Sequence, residues 1–113
     1  MGNIIMLEKA TVLYSSNFEM NYFHNVLAEI AKNENLTNKE LLDFISSLDQ
    51  NIYWGCADRE ITEEIHSIEN MRILQKLVEK TIDKIKQDKN CAQVSIDKYE
   101  NFNKELIKWL ESK

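Results

Sequence analysis

Apolar residues recur at three- and four-residue intervals along most of this chain, the spacing that gathers them on one face of an α-helix. Phe23, Val26, Leu27, Ile30 and Ala31 trace such a face. Ser16 and Glu19 precede it as a capping box, in which a Ser oxygen and a Glu three residues on satisfy each other's backbone amides. A helix is predicted from Ser16 to about Asn33. Residues 1–14 read two ways. They suit an additional helix, but Ile4, Ile5, Thr11 and Val12 are β-branched and suit an extended arm.

Thr37 and Glu40 form a second capping box, with Leu36 and Leu41 as its hydrophobic staple. Leu41, Leu42, Phe44, Ile45 and Leu48 then predict a helix to about Gln50. The stretch 51–58 holds the one internal glycine, Gly55, beside Tyr53 and Trp54, and reads as the main loop. Asp58 is placed to cap the next helix. From 58 to about 89, Ile61, Ile65, Ile68, Met71, Leu74, Leu77, Val78, Ile82 and Ile85 trace one continuous stripe. A helix of that length would span about 45 Å, so a bend at 67–70 or a projecting end is expected. Ser95 is the predicted cap of a last helix, with Asp97 near its positive end and Val94 stapled to Tyr99. Tyr99, Phe102, Leu106, Trp109 and Leu110 form its stripe.

The pattern therefore predicts a single all-α domain over 1–113, a four-helix bundle with one long central helix, or a five-helix bundle if 1–14 is helical. Composition supports long helices. The 113 residues include no proline and two glycines, the residues that most often interrupt helices. With 43% hydrophobic and 29% charged residues, the chain is globular in character rather than disordered. No stretch approaches the roughly 20 apolar residues of a membrane span. The start of the chain lacks a basic signal-peptide opening, and Met6 stands where a myristoylation motif needs Ser or Thr, so a cytoplasmic location is expected. Cys56 and Cys91 match no metal spacing and read as buried thiols. No cofactor is implied.

The net charge of −5 disfavours a free nucleic-acid binder and favours a basic partner. Asp58, Glu60, Glu63 and Glu64 cluster beside Tyr53 and Trp54. Acidic groups speed encounter with a basic surface, and loop aromatics anchor interfaces. The leading expectation is a small acidic protein-binding inhibitor or regulator, of the immunity-protein, antitoxin or phage anti-defence (anti-CRISPR) type, with a homodimer as a further option.

Other readings rest on spacing. Arg59 and His66, seven residues apart, would share a helix face about 10.5 Å apart along the axis. Over 59–66 this resembles the R-x4-6-H motif of the HEPN family of all-helical ribonucleases. The resemblance implies a dimer in which Arg59 holds a phosphate and His66 acts in acid–base chemistry. Glu60, next to the arginine, would repel that phosphate, which ranks this reading second. Glu63 and His66 also have the Glu-x-x-His spacing of di-iron bundles, though a complete site needs two such units and further carboxylates. Arg72, Lys76, Lys80 and Lys84 fall at four-residue spacing, a basic ridge that could track nucleic acid or simply complement a helix dipole.

Overall fold

The structure, a computed structural model, describes residues 2–49 and 58–113. The chain opens with strands β1 (Gly2–Leu7) and β2 (Ala10–Ser16), followed by helices α1 (Asn17–Asn33) and α2 (Lys39–Ser47). Strand β3 (Asp58–Glu60) leads into a single turn, α3 (Ile61–Glu64), then α4 (Ile68–Lys86) and α5 (Gln93–Glu111). The described residues thus form an α/β fold and not the all-α, four- or five-helix bundle expected from the periodicity. The loop predicted over 51–58, with Tyr53, Trp54 and Cys56, lies outside the described residues except for Asp58.

Within 2–14 the extended reading holds. β1 and β2 form an antiparallel hairpin, and β3 adds to β1 in parallel, giving the sheet order β2-β1-β3. Asn3, Ile5 and Leu7 are buried on alternate positions of β1. On β2, Val12 and Leu13 are buried in succession because the register slips between Ile5↔Leu13 and Met6↔Thr11. That β-bulge gives Val12 no partner of its own and turns two neighbours inward. The hairpin turn is Glu8-Lys9, both at positive φ (51° and 69°), as a type I′ turn requires.

The stripe predicted as one helix from 58 onward is three elements. Residues 58–60 pair with Ile4, Ile5 and Met6 of β1. Ile61 to Glu64 make one turn, Ile65 leaves it in an extended conformation, and Ser67 caps α4 by accepting from the Asn70 amide at 3.0 Å. The expected bend is therefore a break. Periodicity concealed it because Ile61, Ile65 and Met71 are all buried in the same core on either side.

Around that core α4 packs on α1 and α5, and β2 lies against α5. Phe23 stacks on Tyr99 at 4.9 Å and meets Phe102 edge-on at 6.1 Å, which joins α1 to α5. Trp109 docks on the hairpin turn, its indole N–H donating to Glu8 Oε1 at 2.8 Å.

Of the four predicted caps, one forms and three shift: α3 is capped by Glu60, whose side chain accepts from the Thr62 amide, and not by Asp58, which lies in β3. The Ser16–Glu19 box is present as read. α2, however, is capped by Asn38, whose Oδ1 accepts from the Leu41 amide, and not by Thr37. α5 starts after Ala92 with no side-chain cap; Ser95 lies inside its first turn and donates to Glu19 Oε2 at 2.6 Å. Val94 is exposed and staples nothing.

Candidate functional site

Two amphipathic turns build an acidic concavity. α2 buries Leu41, Phe44 and Ile45 and so turns Lys39, Glu40 and Asp43 outward. α3 buries Ile61 and presents Glu63 and Glu64. With His66 from the following break, these residues line a space of about 520 Å³ floored by Phe44.

Its charges differ in how firmly they are held. Glu40 accepts from the His66 amide at 2.8 Å, from Asn70 Nδ2 at 3.3 Å, and lies 3.1 Å from His66 Nδ1. Those hydrogen bonds, the His66 amide first, hold its carboxyl below the usual range. Glu64 moves the other way. Burial pushes its carboxyl up, partly offset by the Arg59 guanidinium 2.7 Å away. Asp43 pairs with Lys39 at 2.9 Å in an open position, an ion pair of little energetic weight. Glu63 is exposed and has no ion-pair partner among the described residues. Carboxylates outnumber permanent cations around the concavity, and Glu63 has the least to lose on meeting a partner cation.

The sequence-predicted residues are only partly brought together. Asp58 is exposed at the start of β3. Glu60 is committed within the fold: its carboxylate accepts from the amides of Glu8 (3.1 Å), Lys9 (2.7 Å) and Thr62 (3.3 Å) and from the Thr62 hydroxyl (2.9 Å). Arg59 and His66 do not share a helix face. Arg59 is on β3 and bound to Glu64, whereas His66 is in the break and bound to Glu40. Glu63 and His66 likewise belong to different local structures, and among the described residues no three His, Cys, Asp or Glu side chains converge to hold a metal.

The chain matches no family model, no curated protein and no solved structure.

Half of the basic ridge is engaged: Arg72 and Lys76 are exposed with no ion pair among the described residues, whereas the other two are paired. Lys80 pairs with Glu34 and Lys84 with Glu29, both at 2.6 Å, which ties α4 to α1. Sequence reasoning missed Glu40 and Asp43 as members of the acidic surface. Their signal was present, because Glu40 and Asp43 sit three apart on the polar side of a well-marked helix. What was not legible is that the α3 turn folds back beside them.

No helix of the described residues is long and apolar enough to cross a membrane.

Proposed function

We propose that this chain acts by binding a basic protein at the α2–α3 concavity, as a small acidic inhibitor or regulator of the immunity, antitoxin or phage anti-defence type. The observation that carries the reading is the convergence of Glu40, Asp43, Glu63 and Glu64 around one open space floored by Phe44. Carboxylates from two elements, with Glu63 lacking an ion pair among the described residues, complement a surface built to hold phosphates.

The test is site-specific photocrosslinking in the native cell. A crosslinking residue replaces Glu63, and in a separate variant Lys104 of α5, which does not line the concavity. A Lys/Arg-rich protein captured from position 63, not from position 104, and lost when Asp43→Lys is added, supports the proposal. Equal capture from both positions removes it. Labelled RNA cleaved by the wild type and left intact by His66→Ala would replace it with the ribonuclease reading.

A further inference from the structure

A second cleft lies where the start of α1 meets the α4–α5 connection. It shares no residue with the α2–α3 concavity, and its test stands independently of that site. Phe18 and Tyr22 of α1 form one wall, Tyr99 of α5 closes the floor, and Asp88 and Cys91 of the connection form the other side. The space is about 330 Å³, at the lower end for a small-ligand site and suited to one side chain. Phe18 stands at its lip 82% exposed, an aromatic face held in water.

The charges select the occupant. Glu19, also at the cleft, is already neutralised: it accepts from the Ser16 amide and Ser95 Oγ and pairs with Lys98 at 2.9 Å. Asp88 is different. Its Oδ2 accepts from the Tyr22 hydroxyl at 2.6 Å and its Oδ1 from the Asn90 amide at 2.9 Å, yet it has no ion pair among the described residues. Each carboxylate oxygen keeps a second lone pair, so both oxygens can still accept. Lys86 is occupied by Glu100 and Lys98 by Glu19, and Lys89, next to Asp88 in the chain, is exposed and makes no ion pair with it among the described residues. The Cys91 thiol is pushed up by burial and by Asp88, so it adds no competing anion at neutral pH. What remains is an aromatic-walled slot with one unbalanced carboxylate whose two oxygens are fixed by their present donors.

We propose that this cleft receives an arginine side chain from a partner polypeptide, its guanidinium forked onto Asp88 and stacked on Phe18 and Tyr22. A flat cation suits both features. It bonds a carboxylate through two parallel N–H groups and lies favourably on an aromatic face. A lysine ammonium would reach Asp88 as a point charge but forgo the fork.

The test is an NMR titration of the ¹⁵N-labelled protein with blocked Gly-Arg-Gly, beside blocked Gly-citrulline-Gly, the uncharged isostere. Saturable amide shifts at Tyr22, Asp88 and Cys91 are expected, with the citrulline peptide about tenfold weaker. Asp88→Asn, which keeps an acceptor for Tyr22, should weaken the arginine peptide by about tenfold and leave the citrulline peptide unchanged. Phe18→Ala removes an exposed side chain, leaves the fold intact and should weaken both peptides. Equal binding of the two peptides, shifts confined to other surfaces, or an unaltered Asp88→Asn titration each overturns the proposal.

Discussion

The Glu60 carboxylate holds a turn that its own residues are poorly suited to make. Glu8 and Lys9 sit at positive φ (51° and 69°), where Asn-Gly is the favoured pair because a Cβ is disfavoured there. Glu60 offsets that cost by accepting both amides from across the sheet. Burial alone would raise its carboxyl, and the hydrogen bonds from Lys9, Thr62 and Glu8 bring it below the usual range instead. Lys9→Gly is expected to stabilise the protein by about 0.5–1 kcal/mol in urea denaturation. Glu60→Ala should destabilise it by about 1–3 kcal/mol, and adding Lys9→Gly should recover part of the loss. A Lys9→Gly variant less stable than wild type would contradict this account. None of this was legible in order along the chain. Glu8-Lys9 is no turn signal, and Glu60 lies more than fifty positions from the amides it serves.

Element ends show where local reading succeeds. The Ser16–Glu19 box formed as read because both partners lie within four residues and nothing displaces them. The end of α1 is equally local: Leu36 N–H donates to Ala31 O and Asn35 N–H to Lys32 O, a Schellman motif with Asn35 at φ 56°. Leu36 thus completes α1 and is not a staple for α2. Asn35→Ala should cost about 1 kcal/mol in thermal or urea melts, and Asn35→Gly should not. At α2 a distant partner prevailed, because Glu40 bonds His66 and Asn70 and leaves the cap to Asn38. Ser95 was claimed in the same way by Glu19, which gathers Ser16, Ser95 and Lys98 and so joins α1 to α5. Burial pushes the Glu19 carboxyl up, but these donors outweigh it and bring it down to about 2 from an ordinary 4.5. A folded pKa below the unfolded one means this stability is fully present above pH 4.5 and is lost as pH falls from there through about 2. At most it amounts to about 3 kcal/mol. Glu19→Gln should lower stability at pH 7 and flatten the pH dependence of the urea midpoint across that window; an unchanged acid limb would argue against the junction.

Over the whole molecule, the balance of charge matters more than any single row. Lys80 and Lys84 are each half-exposed and already paired to α1, and the chain carries a net charge of −5. Retention on heparin at physiological ionic strength is therefore not expected. Retention abolished by Arg72→Glu with Lys76→Glu would shift the proposal towards nucleic acid. By itself the sequence determined the helical faces of α1, α2, α4 and α5, the first cap and the acidic balance, because these depend on residues within one or two turns or on composition alone. Strand or helix at 58–60 was decided by tertiary structure: a helical stripe and a strand followed by a turn bury the same isoleucines, and only the open edge of β1 distinguishes them. The same holds for the acidic surface. Glu60 was taken by the Glu8 and Lys9 amides while Glu40 and Asp43 joined Glu63 and the Arg59-paired Glu64 around the concavity, since a carboxylate's role follows whichever donors the fold brings to it.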